Sequence, residues 1–239
     1  MKACDDHGNI ELLCFDIFGT VVDWHGSIAR EVGAMCPGID GDAFALAWRA
    51  GYRPAMQRVM SGELGWTLID DLHRMILDEL IAPFGLGHLD EAQRRHLNSA
   101  WHRLAAWPDS VRGLTRLKSR FLISTLSNGN IGLLTRMAKH TGLPWDCVLS
   151  AEVFRAYKPD PAVYLGAARV FDLPPHAVML VAAHHDDLAA ARSCGLRTAY
   201  IERPLEFGAG HPKDVSPDPL DTFHARSIEH LADLLGCVA

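Results

Sequence analysis

Five short apolar runs set the limits on what this chain can fold into. They are Ile10 to Asp16 (IELLCFD), Phe121 to Ser127 (FLISTLS), Cys147 to Ser150, Val178 to Ala183 (VMLVAA) and Thr198 to Ile201 (TAYI). Apolar runs this short, bounded by small or polar residues, read as strands. From the second run onward, each is separated from the next by a helix-length amphipathic segment. Asp160-Pro161 opens one of these well, because Asp160 can cap free N–H groups and Pro161 suits the first helical position. Strands alternating with helices predict an α/β fold, a doubly wound and mainly parallel sheet with helices on both faces.

Between the first two runs the texture changes, and from Trp24 to Pro108 nothing reads as a strand. Phe44, Trp48, Tyr52, Ala55 and Val59 recur at helical spacing, as do Leu68, Leu72, Met75 and Leu80, while Leu97, Trp101 and Leu104 form a third stripe. Roughly 80 residues far exceed a normal crossover connection. The segment therefore reads as a helical cap subdomain inserted after the first strand. The expected division is a core of residues 1–22 and 109–239 with the cap at 23–108.

In an open parallel sheet, ligands bind beyond the carboxyl ends of the strands where the strand order reverses. That rule points to Asp16, Ser127 and the residues after Val181. Composition narrows the partners. The formal charge is −6 with no basic run, which argues against nucleic acid. No apolar stretch approaches the ~18 residues that a membrane span needs. The start, MKACDDHGNIE, lacks the basic-then-apolar layout of a signal peptide, so a cytoplasmic location is expected. The six cysteines are scattered without a CxxC pair or finger spacing, so neither a zinc site nor a disulfide framework is expected.

Alone, Asp16 would read as a turn residue at a strand end. Its context is more specific. LLCFDIFGTVVDW (Leu12 to Trp24), TLSNGN (Thr125 to Asn130), YKPDPAVY (Tyr157 to Tyr164) and VAAHHDD (Val181 to Asp187) together resemble the four motifs of the haloacid dehalogenase superfamily, in that family's order. The resemblance implies that Asp16 is a covalent nucleophile. Superfamily phosphatases carry a second Asp two residues further on, where this chain has Phe18, and a Gly-Asp pair that aligns with Ala182-Ala183. FDxFGTxxDW with LSNGN is similar to the type II 2-haloacid dehalogenases, which expel a halide that needs no proton.

Carried over residue by residue, the resemblance implies the following roles. Asp16 attacks C2 of a short 2-haloacid of the L form in line, expels halide with inversion, and water then hydrolyses the resulting ester. Lys158 keeps Asp16 ionised. Ser127 and Asn128, with the backbone at Ile17 and Phe18, bind the substrate carboxylate, although a cap role is also open to Asn128 or Asn130. Arg49 meets the halide, with Arg53 a nearby competitor. Asp187 positions or deprotonates the water. His184 replaces the Asn of a common Ser-Ser-Asn, where it could touch the water or Asp187 or shrink the pocket. Trp24, Tyr52, Trp66 and Trp107 are expected to include pocket walls, and His185 and Asp186 to be peripheral. The resemblance implies no metal and no organic cofactor, a homodimer, and a substrate range that extends to fluoroacetate. Three other readings stand beside it. One is opening of a strained ring such as azetidine-2-carboxylate. Another is a magnesium phosphatase, which Phe18 and Ala183 oppose. The last is a non-catalytic binding protein, which the set Asp16, Ser127 and Lys158 opposes.

Overall fold

Leu12–Phe15 forms β1, four consecutive side chains without solvent exposure, as a central parallel strand covered on both faces requires. The computed structural model describes residues 10–238; residues 1–9, which include Cys4 and the start of the expected core, and Ala239 lie outside the described residues. After β1 come β2 (Val22–Asp23), α1 (Trp24–Met35), α2 (Gly41–Met60), α3 (Ile69–Leu80), α4 (Glu91–Asn98) and β3 (Ala105–Ala106). The chain continues through α5 (Ser110–Lys118), β4 (Leu122–Thr125), α6 (Ile131–Thr141), α7 (Pro161–Val170) and β5 (Val178–Ala182). It ends with α8 (His185–Ser193), β6 (Arg197–Ile201), β7 (Phe223–Ala225) and α9 (Ile228–Leu234).

The main sheet has the order β4-β1-β5-β6-β7, and every pairing in it is parallel. Helices α5 and α9 pack together beside β4 and β7, and α7 and α8 pack together beside β5 and β6. Right-handed crossovers place these pairs on opposite faces of the sheet. The strand order reverses around β1, so the crevice falls at the carboxyl ends of β1, β4 and β5. Asp16 directly follows β1 there.

Local chemistry starts the helices where the sequence suggests. Asp160 accepts from Ala162 N–H, with Pro161 in the first turn of α7. Asp23, Asp40 and Asp90 cap α1, α2 and α4, the last in a reciprocal box with Gln93. In α2 the expected stripe Phe44, Trp48, Tyr52, Ala55 and Val59 is buried throughout, and so are Leu97, Trp101 and Leu104. Trp48 Nε1 donates to the His73 carbonyl at 2.9 Å, which ties α2 to α3. The ring of Phe18 meets Trp101 edge-on at 5.6 Å, so the cap's aromatic core packs onto the segment that follows Asp16.

Four expectations are corrected. Cys147 to Ser150 is not a strand; it runs along β4 with isolated bridges at Ser124–Cys147 and Ser127–Ser150. The hydroxyls of Ser124 and Thr125 donate to the carbonyls of Cys147 and Leu149 at 3.1 and 2.6 Å, in place of a continuous ladder. The fifth strand of the sheet is instead β7, whose three residues are too few to carry a period. The segment between Trp24 and Pro108 does hold a strand, β3, which pairs antiparallel with β2 at the base of the cap. In α3 the buried face is Ile69, Leu72, His73, Ile76 and Leu77 rather than Leu68, Leu72, Met75 and Leu80. The buried His73 shifts that face by about one residue from the purely apolar pattern.

The contact between α5 and α9 allows a paired test. A Cβ at Gly113 would lie 2.7 Å from Ile228 Cγ2 and 2.8 Å from the Glu229 backbone N, whereas a Cβ at Gly33 in α1 meets nothing within 4 Å. Gly113→Ala should destabilise by about 1–3 kcal/mol through overpacking. Gly33→Ala should stabilise by about 0.5–1 kcal/mol through helix propensity. Urea unfolding of both variants should therefore move the midpoint in opposite directions.

Candidate active site

β1 carries Asp16 to the sheet's carboxyl edge at 7% exposure, where an isolated carboxylate would be costly. Its oxygens are separately held. Lys158 Nζ donates to Oδ1 at 3.0 Å and Thr20 Oγ1 donates to Oδ2 at 2.8 Å. His184 Nδ1 lies 3.2 Å from the same Oδ2. Thr20 in turn accepts from Ala183 N–H at 2.9 Å, which fixes its hydroxyl toward the carboxylate. Burial pushes the Asp16 carboxyl upward, but the Lys158 ammonium and the His184 imidazole overcome it and hold the group well below the usual carboxylate range.

Lys158 also donates to Asp187 Oδ2 at 2.5 Å, and Tyr164 donates to Asp187 Oδ1 at 2.6 Å. Burial and the nearby Asp16 charge raise Asp187 against the pull of Lys158. The two carboxyl groups of the site are thus driven in opposite directions. Both Asp187 oxygens are engaged, which bears on the expectation that it handles a water. Asn128 accepts from Lys158 N–H through Oδ1 at 2.7 Å, so it positions the lysine backbone.

These groups open onto a cavity of about 800 Å³ between core and cap. Asp16, Phe18, Arg49, Ser127, Asn128, Lys158, His184 and Asp187 all line it. Ile17 does not: its side chain is buried beneath, although its N–H, like that of Phe18, donates to no backbone carbonyl among the described residues. Ser127 Oγ accepts from Gly129 N–H at 3.2 Å. Asn130 turns away from the cavity and exchanges hydrogen bonds with Asp70 of α3, joining core to cap.

In α2, Arg49, Tyr52, Arg53 and Met56 present one helical face to the cavity. The Arg49 guanidinium lies 4.3 Å from the Tyr52 ring centre and 5.6 Å from that of Trp24, and its Nη1 is buried without a hydrogen-bond partner. Arg53 instead pairs with Asp186 at 2.6 Å, and both side chains are largely exposed at the cavity mouth. Asp186 is therefore part of the cavity lining rather than peripheral. Among the expected aromatic walls, Tyr52 lines the cavity while Trp24, Trp66 and Trp107 do not. Trp66 packs on Tyr157, which takes the wall position, and Trp107 Nε1 donates to the Gly19 carbonyl at 2.9 Å.

Glu206 was not anticipated. It is fully buried in the long connection after β6, a segment without periodicity that offers no sequence signal. Its Oε1 lies 2.8 Å from His184 Nε2, and its Oε2 accepts from Lys213 Nζ at 2.5 Å. Burial alone would lower His184, but Glu206 and Asp16 raise it to about 9. Burial alone would raise Glu206, but His184 and Lys213 hold it down at about 2. The Glu206 contribution to stability is present above its ordinary value of 4.5 and lost as pH falls through about 2. The His184 contribution is full below 6.5 and lost as pH rises through about 9. Glu206→Gln should therefore cost about 3 kcal/mol in mildly acidic solution, as for a buried pair deprived of one partner. The loss should shrink by about pH 10, where His184 is neutral in both proteins. Urea unfolding across pH checks this; a pH-independent difference would contradict it.

The haloacid dehalogenase-like hydrolase family matches residues 10–195 of this chain. The (S)-2-haloacid dehalogenase 4A of Burkholderia cepacia is 30% identical over 231 residues, covering 92% of this chain and 93% of that protein. Among solved structures, the L-2-haloacid dehalogenase PA0810 is similar with a TM-score of 0.90 and 45% identity, over 95% of this chain and 100% of that one. The defluorinating L-2-haloacid dehalogenase Rha0230 has a TM-score of 0.91 and 42% identity, over 95% of each chain. The chain belongs to the haloacid dehalogenase-like hydrolases.

Proposed function

We propose that the protein hydrolyses short 2-haloacids by attack of the Asp16 carboxylate on C2, through an aspartyl ester. The observation that carries this reading is a buried, ionised carboxylate facing a cavity, with Phe18 two residues on in place of a proton donor. Halide leaves as an anion and needs no proton, whereas an alkoxide or amine would. The names of the similar proteins support the same substrate class.

Lys158 and the hydrogen bond from Thr20 present Asp16 in one orientation, so that attack is positioned rather than random. Ser127 and the N–H groups of Ile17 and Phe18 receive the substrate carboxylate. Arg49, whose Nη1 has no protein partner, receives the departing halide. In-line displacement inverts C2, and the S enantiomer is the preferred substrate. Water then cleaves the ester at the Asp16 carbonyl carbon and regenerates the carboxylate. Asp187 and Tyr164 hold Lys158 in register throughout. The proposed range includes fluoroacetate, supported by Arg49 as a charged donor for a poorly leaving fluoride and by the likeness to a defluorinating relative.

Halide release from (S)-2-chloropropionate should survive EDTA, because Lys158, Arg49 and His184 supply the positive charge of the proposed route. Asp16→Asn should lower it by at least about 10⁴-fold, and Arg49→Gln by about 10²-fold or more. Phosphate release that depends on Mg²⁺, without halide release, would overturn the reading. Fluoride and chloride release measured side by side decide the range: chloride alone would remove fluoroacetate from it.

A further inference from the structure

Three carboxylates and three cations alternate through the site. Asp187 contacts Lys158, Lys158 contacts Asp16, Asp16 contacts His184, His184 contacts Glu206 and Glu206 contacts Lys213. The network is balanced only while Asp16 is charged. The aspartyl-ester route proposed above, on which this inference rests, removes that charge when the C–O bond forms and halide departs. Three largely buried cations then face two carboxylates, an arrangement that favours loss of one proton.

His184 is the cation that yields it. An imidazolium is inherently far more acidic than an ammonium. Lys158 retains Asp187, and Lys213 retains Glu206 and the Ala183 carbonyl, which it reaches at 2.5 Å. His184 loses its Asp16 contact and shares Glu206. Its Nδ1, which stands 3.2 Å from Asp16 Oδ2, is then a free acceptor beside the carbonyl carbon that water must strike. Asp187, the other candidate base, has both oxygens occupied.

We propose that His184 is the base for ester hydrolysis, switched on by formation of the ester itself, and that Glu206 is the positioning residue that orients it. The imidazolium releases one proton to solvent after halide departs. Neutral Nδ1 then takes a proton from water as its oxygen bonds to the Asp16 carbonyl carbon. When the intermediate collapses, the departing alkoxide takes that proton. The regenerated Asp16 carboxyl group passes its own proton to His184 and restores the resting network. The sum is haloacid plus water giving hydroxy acid, halide and one proton.

Glu206 is built into this place. Gly19 has a φ of +85°, and a Cβ there would fall 2.2 Å from Glu206 Oε1, so glycine admits the carboxylate. Trp24 Nε1 of α1 donates to the same oxygen at 3.3 Å. The other charged groups around the cavity are Arg49 and Arg53 from α2, Asp160 at the start of α7 and Asp186 from α8.

Rapid mixing with (S)-2-chloropropionate, quenched for intact-protein mass and for halide, tests the switch. His184→Gln should release about one halide per site and accumulate the ester, with hydrolysis slowed by about 10²–10⁴-fold. In the wild-type protein, ester hydrolysis should fall at acid pH as His184 regains its proton. Glu206→Gln should move that acid limb to lower pH by about one unit, a change that loss of packing alone does not produce. Ester hydrolysis in His184→Gln at the wild-type rate, or a pH-independent wild-type hydrolysis, would overturn the proposal. The ester route itself fails differently: halide would be released with no adduct in the wild type, His184→Gln or Asp187→Asn.

Discussion

The ion pair between Asp16 and Lys158 lies at the end of a strand that is sealed on both faces, and the rest of the site follows from it. A carboxylate so placed would take up a proton if burial acted alone. Lys158, itself 7% exposed at its side chain, prevents that and is prevented from losing its own proton by Asp16 and Asp187. Neither member of the pair is tolerable in that position without the other. Thr20 and His184 complete the shell, so the carboxylate is ionised, oriented and short of water. Those are the properties that a carboxylate needs in order to act as a nucleophile.

The fold exists, in this sense, to bring three strand ends, one connecting segment and one helix face together. β1 delivers Asp16, β4 delivers Ser127 and Asn128, β5 delivers His184, and the segment before α7 delivers Lys158. The cap contributes Arg49 from α2, held by an aromatic cluster that also packs on Phe18. Asn130 and Asp70 join the two parts by reciprocal hydrogen bonds close to the cavity. The site is therefore divided between a sheet edge, which holds Asp16, and a helical cap, which holds Arg49.

Much of this was legible in the sequence because it is local. Strand ends announce themselves where an apolar run stops at a polar residue, as at Asp16 and Ser127. Asp160-Pro161 signals a helix start by its own chemistry, and the α2 stripe by its period. What was not legible depends on contacts between distant segments. Glu206 sits in a connection with no period, and its partner His184 lies 22 residues away in sequence. Cys147 to Ser150 has the apolar character of a strand, but side-chain hydroxyls of β4 interrupt its ladder. In α3, a histidine occupies a core position that apolar counting skips. His184 belongs to both groups: its position at a strand end was readable, but its charge depends on Glu206, which was not.

In the proposed route Asp16 becomes covalently attached to the substrate. A single turnover of (S)-2-chloropropionate in ¹⁸O-water, followed by mass analysis of the peptide that contains Asp16, tests it most directly. Label in the Asp16 carboxylate, with unlabelled oxygen in the product hydroxyl, is the predicted result. Label in the product hydroxyl with none in the peptide would mean that water attacks C2 itself, and would rule out the aspartyl ester.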